Sequence, residues 1–254
     1  MSDELDRKHQ PVAPPLGGGE TPPPLAGHSS RCRGEHGLRA RTSGPALPAR
    51  DTRPNRATRF IETTRGVLSY SEVAPLLGER VVRLETALYQ REFASWQPDE
   101  RLVAEFHRLI CHDLVPGWAG HWRTIAVRVG TLTPPPPQQV PLLMRNYGAD
   151  LLARWPDASA VIGDLTLELL AFAEGRFLSI HPFQDFNGRA IRLFLLELLR
   201  RLDLPRVVLA PAQESERQAY FAALEAADQS NWHPLVATWQ SRFATAPQNP
   251  SAES

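Results

Sequence analysis

His181-Pro-Phe-Gln-Asp-Phe-Asn-Gly-Arg-Ala-Ile-Arg192, continuing into Leu193-Phe-Leu-Leu-Glu-Leu-Leu-Arg200, carries both the core and the chemistry of this chain. The spacing predicts a helix over 188–202, with Ile191, Leu193, Phe194, Leu195, Leu196, Leu198, Leu199 and Leu202 making it apolar nearly all round. Such a helix belongs at the centre of a core. The loop before it gathers a base, a carboxylate, an amide, a glycine and two arginines. Asn187-Gly188 ends that loop at a helix N-terminus, where unpaired backbone N–H groups and the helix dipole together favour an anion. Arg189 and Arg192, three apart and so on one face, can offer two guanidinium forks to phosphate oxygens. Asp185 supplies the single carboxylate with which proteins hold magnesium beside phosphates. His181 precedes Pro182, which stops a helix arriving from upstream and predicts an extended backbone for the histidine. Its imidazole, with an ordinary pKa of about 6.5, is suited to taking a proton from a hydroxyl. Phe183 reads as an aromatic anchor of the loop and Pro182 as a conformational stop. The segment is built to hold a polyphosphate.

Outward from it, apolar residues return at helical intervals over 80–94 (Val81, Leu84, Leu88) and 99–114 (Leu102, Phe106, Leu109, Ile110), the second starting at Pro98-Asp99. Over 122–129 the period changes, Ile125, Val127 and Val129 alternating with Ala126 and Arg128, which predicts a short strand. Thr131-Leu-Thr followed by four prolines cannot continue a paired ladder and reads as a projecting flap. Further helices are expected over 141–155, 157–176 (Val161, Leu165, Leu169 and Phe172 on one face), 214–229 and 232–243. The fold class is therefore mostly α with one small β element.

The 254 residues divide by composition into a Pro-, Gly- and Arg-rich leader over 1–56, expected to be disordered, a folded unit over 57–243 and a tail over 244–254. Acidic and basic residues balance at 28 each, so no bulk attraction to nucleic acid or membrane is implied. Lys8 is the only lysine. Cys32 and Cys111 provide neither a disulfide framework nor a zinc site. No apolar run reaches the length of a membrane span, and no signal peptide is evident, so a cytoplasmic location is expected.

The loop resembles the motif of Fic domains, His-x-Phe-x-Asp/Glu-Gly-Asn-Gly-Arg-x-x-Arg, at every fixed position but Phe186, where the family usually has glycine. Gly117-Trp-Ala-Gly-His-Trp-Arg123, the predicted strand and the Pro-rich loop resemble that family's Gly-x-x-Arg turn and β flap, so the likeness covers roughly residues 57–243. It implies a Fic-type helical bundle with a small β-hairpin flap. It also implies transfer of AMP from ATP to a Tyr, Thr or Ser hydroxyl of a target protein, with release of pyrophosphate. In that scheme His181 is the general base and Asp185 holds Mg2+. Asn187, Gly188, Arg189 and Arg192 bind the nucleotide, and Thr131, Leu132 and Thr133 of the flap hold the target. Some members carry an inhibitory helix, Ser/Thr-x-x-x-Glu-Gly/Asn, whose glutamate pairs with the second motif arginine. Thr58-Arg-Phe-Ile-Glu62 fits its first five positions, which makes 57–75 an inhibitory segment and Glu62 a brake on Arg192. Tyr220 lies near a family tyrosine beside the nucleotide and reads equally as a core aromatic. Phe186 leaves a second reading open, a catalytically silent interaction module or one using another donor such as UMP or phosphocholine. A ring turned into the pocket would obstruct the phosphates; one turned to the core would leave the loop intact. Neither the target nor the oligomeric state follows from the sequence.

Overall fold

The computed structural model describes residues 59–129, 132–158, 160–211 and 213–246. The leader over 1–56, Thr58 and Thr131, and the tail from 247 on lie outside the described residues. What is described is mostly α: strands β1 (Phe60–Thr63) and β2 (Gly66–Ser69) form an antiparallel hairpin. Seven α-helices follow: α1 (Tyr70–Tyr89), α2 (Glu100–Cys111), α3 (Val140–Arg154), α4 (Asp164–Ile180), α5 (Asn187–Arg201), α6 (Glu214–Asp228) and α7 (His233–Ala244).

The central helix is α5, packed against α1, α2 and α4. Leu193, Phe194, Leu195 and Leu198 are fully buried, each side chain contributing about 1.5–3 kcal/mol relative to exposure. Helix α2 begins where its sequence predicts, Asp99 accepting a hydrogen bond from the Arg101 N–H at 2.9 Å. Helix α4 is shorter at its start than its periodicity suggests. Gly163 caps it, so Val161 lies before the helix, and Val161 and Leu165 face solvent while Leu169 and Phe172 are buried.

Helix α1 starts ten residues earlier than expected. Ser69 and Glu72 form a capping box, the Ser69 N–H donating to Glu72 Oε2 at 2.8 Å and the Glu72 N–H to Ser69 Oγ at 3.3 Å. The β element is also placed differently. Residues 122–129 form no strand; only an isolated bridge joins Val129 to Leu132. Pro134 to Pro137 donate no N–H groups, which leaves the alternating segment without a ladder to join. The hairpin forms instead at 60–69, where Gly66, at φ 97°, turns the chain and pairs Glu62 with Val67. Among the described residues no helix is long and apolar enough to cross a membrane.

Candidate active site

Helix α4 stops at His181 because that residue turns left-handed, φ 49° and ψ 61°, its N–H still donating to the Phe177 carbonyl at 2.9 Å. The extended conformation expected before Pro182 is therefore not adopted; a left-handed cap closes the helix instead, at the steric cost such a φ carries for a residue with a Cβ. The loop is then closed from within. Asn187 Oδ1 accepts from the Phe183 N–H and its Nδ2 donates to the Phe183 carbonyl, both at 2.9 Å. Asn187 is buried, so its side chain serves the loop. The N–H groups of Arg189 and Ala190 both bond to the Phe186 carbonyl, leaving those of Asn187 and Gly188 at the helix N-terminus for an anion.

Phe186 is itself left-handed, φ 59°, and only 4% exposed. Its ring stacks on Trp118, centroids 6.0 Å apart and planes at 11°, and lies 6.4 Å from the His107 ring. The side chain points into the core. Phe183 is fully buried and stacks on His107 at 3.8 Å.

Two residues hold this loop against the bundle, and the sequence reading singled out only one of them. His107, fully buried on α2, accepts the Gly120 N–H at Nδ1 (2.9 Å), which leaves Nε2 to donate to the Asp185 carbonyl at 3.1 Å. Its sequence signal is a polar residue on the face of Val103, Ile110 and Cys111, a position that otherwise takes a core side chain. Burial pushes its imidazole down to about 4, against the pull of the Asp185 carbonyl. Above about pH 6.5 the ring is neutral folded or unfolded; below it the unfolded chain takes up a proton that the folded protein refuses. Stability therefore falls with pH by up to about 1.4 kcal/mol per unit, levelling near pH 4. Urea midpoints at pH 7.5 and 5.0 should show wild type losing about 2 kcal/mol more than His107→Gln. Equal losses would contradict the burial of a neutral ring.

The second is Arg123, at the end of the Gly117–Arg123 turn and 3% exposed. Its Nε donates to the His181 carbonyl (2.8 Å), Nη1 to Ile125 (3.0 Å), and Nη2 to Pro135 (2.6 Å) and Ile180 (3.3 Å). Its own N–H donates to the Pro182 carbonyl at 2.8 Å. Burial without a carboxylate lowers its pKa. The guanidinium thus ties the Pro-rich flap, where Leu132 and Thr133 lie, to the turn carrying His181.

His181 has its Nδ1 buried without a hydrogen-bond partner among the described residues. Burial pushes the imidazole down to about 4; the Leu178 carbonyl and Asp185 oppose the fall, and the Arg123 and Arg59 cations add to it. It is neutral at physiological pH. Arg189 donates to the Tyr70 hydroxyl at 2.6 Å, and Arg192 lies beside Gly188, where an added Cβ would stand 3.3 Å from Nη1. Burial and the Arg189 cation lower the Arg192 pKa against the opposing pull of Tyr220, Tyr70 and Glu174, and among the described residues no carboxylate forms an ion pair with it. Glu62 does not supply one. It sits exposed on β1, in a strand rather than a helix, and no ion pair with Arg192 forms. Tyr220 is a core aromatic: its hydroxyl donates to Glu174 Oε1 at 2.7 Å, and Arg242 grips the same carboxylate.

Among the described residues no group of three or more His, Cys, Asp or Glu side chains could hold a metal ion. Asp185 offers one carboxylate, Oδ1 accepting from the Phe186 N–H at 2.7 Å and Oδ2 paired with Arg59. One carboxylate fits a magnesium ion that arrives with phosphate ligands.

Residues 97–199 match the Fic/DOC family. The chain is 25% identical to Protein adenylyltransferase Fic of Aedes aegypti over 193 residues, 76% of this chain and 36% of that protein. It is 33% identical to Protein adenylyltransferase fic-1 of Caenorhabditis briggsae over 153 residues, 60% of this chain and 28% of that protein. The match thus spans roughly a third of the length of these curated relatives. The fold superimposes on the BepC effector protein of Bartonella tribocorum, crystallised with AMPPNP, at a TM-score of 0.59 and 18% identity, over 76% of this chain and 96% of that one. The family match takes in His107, Arg123 and the whole loop from His181 to Arg192, on a bundle of the same architecture, and residues 97–199 of this chain form a Fic domain.

Proposed function

We propose that this protein transfers AMP from ATP to a Tyr, Thr or Ser hydroxyl of a target protein. The observation that carries the reading is the placement of Phe186: its ring is in the core, so the one departure from the family motif leaves the anion site open. The names of the relatives and the nucleotide bound by BepC support the same reading.

The hydroxyl oxygen forms a bond to the α-phosphorus, the bond from that phosphorus to the bridging oxygen of pyrophosphate breaks, and the hydroxyl proton passes to neutral His181. The Asn187 and Gly188 N–H groups face the phosphate oxygens on which charge develops, where one such donor is worth about 3 kcal/mol. Arg189 and Arg192 bind the β- and γ-phosphates, which supplies Arg192 with its missing anion. Magnesium, held by Asp185 and the phosphates, would neutralise charge on the leaving group. Leu132 and Thr133 on the flap border the approach of the target, whose alignment with His181 passes through Arg123.

Incubation with a cell lysate, Mg2+ and ATP labelled on either the α- or the γ-phosphate tests the reading. Label from the α-position should enter protein and that from the γ-position should not, with Glu62→Gly labelling as wild type does, since Glu62 meets no arginine of the site. Labelling from the γ-position would mean phosphoryl transfer. Labelling by neither, together with no ATP binding, would leave a silent module.

A further inference from the structure

The segment before α1 does reach the loop, with a cation instead of an anion. Arg59 is ion-paired with Asp185 Oδ2, its side chain 56% exposed and that of Asp185 only 14% exposed. Its position is fixed on several sides. The Arg59 carbonyl accepts the Tyr70 N–H at 2.8 Å, beside the Phe60–Ser69 pair of the hairpin. Ile61 anchors β1 in the core, and the hairpin tip is tied to the end of α2, Thr64 donating from N to the Leu114 carbonyl (2.9 Å) and from Oγ1 to that of Asp113 (2.6 Å). The Arg59 guanidinium carbon lies 5.3 Å from the centre of the Tyr70 ring, and that of Arg189 lies 5.6 Å from the same centre. Tyr70 therefore sets where both cations stand.

We infer that Arg59 is the resident cation of the Asp185 carboxylate and that a divalent ion must displace it to bind. This rests on Asp185 being the metal ligand of the proposed reaction. The balance of charge gives the consequence. Among the described residues around the loop, Arg59, Arg189 and Arg192 stand against the Asp185 carboxylate, the nearby Glu174 being held by Arg242, so the nucleotide-free site is net positive and repels a bare divalent ion while attracting a polyphosphate. When a nucleotide brings its own negative charge, the balance reverses and the metal can take Oδ2 from the guanidinium. Metal entry thereby becomes dependent on nucleotide, and the carboxylate has a partner at every stage.

Mn2+ binding, followed by the paramagnetic resonance of the free ion on the full chain without nucleotide, reads this directly. Arg59→Gln should bind Mn2+ about tenfold more tightly than wild type, as expected for removing one positive charge a few ångströms from a divalent ion at moderate salt. Arg59→Lys, which keeps the charge, should stay near wild type, and Arg59→Gln combined with Asp185→Asn should lose the gain. Unchanged affinity in Arg59→Gln, or a gain that persists without the Asp185 carboxylate, overturns the inference. The metal-ligand role of Asp185 is tested separately. If Asp185→Asn leaves Mn2+ binding in the presence of ATP unaltered, Asp185 is not the ligand, whatever Arg59 does.

Discussion

Replacing His181 by alanine should lower AMP transfer by about 10²- to 10⁴-fold, the range of a positioned general base, with ATP affinity changed by less than about threefold. The two effects separate because, in the proposed reaction, other groups would meet the phosphates: two backbone N–H groups at the start of α5, Arg189 and Arg192. A loss of ATP binding in step with activity would make the histidine a binding residue. The pH profile gives a second test of the same group. With its pKa near 4, His181 stays in the neutral, proton-accepting form throughout the ordinary range. The base limb of kcat/KM should therefore be flat from about pH 8 to 5.5 and fall only toward about 4, where an ordinary histidine would already be half protonated at about 6.5. An inflection at the ordinary value would show the ring to be solvated when it acts.

Phe186→Gly, which restores the usual residue of the motif, should destabilise the fold by about 2–4 kcal/mol. Two effects oppose each other here. Glycine relieves a left-handed backbone at a gain of about 1 kcal/mol, whereas loss of a buried phenyl ring packed on Trp118 costs about 3–5 kcal/mol. The lost packing outweighs the relief. Urea denaturation measures the difference directly; a variant as stable as wild type would mean the ring contributes nothing to holding the loop. ATP affinity of the folded variant should remain within about threefold, because the ring is buried in the core and not at the proposed phosphate site.

Phe186 also shows where sequence reading stops. Its two orientations had opposite functional meanings, and nothing within the loop could choose between them. The choice lies with Trp118 and His107, more than sixty residues away in sequence. The α5 core, by contrast, was plain from periodicity alone, and α2 from its periodicity and the Asp99 cap, because those signals are local. The beginning of α1 was harder, since Pro75 in its second turn interrupts the pattern that the Ser69 and Glu72 box begins. Glu62 misled for a related reason. Five residues match a helical inhibitory pattern, but Ile61, Thr63, Thr64 and Val67 are β-branched and flank the positive-φ Gly66, which favours a hairpin. Residues 122–129 erred in the opposite sense, having strand alternation and no neighbouring edge to pair with. Arg59 and Asp185 are 126 positions apart, and their meeting depends on that hairpin being a hairpin.

The Arg123 guanidinium makes the flap and the turn carrying His181 a single mechanical part. One planar group, buried and saturated by carbonyls at Ile125, Pro135, Ile180 and His181, cannot follow the flap without dragging the end of α4 with it. In the proposed reaction, a target seated along the flap would therefore act on the histidine as through a lever, and a poor fit there would be felt as a misaligned base and not merely as weak binding.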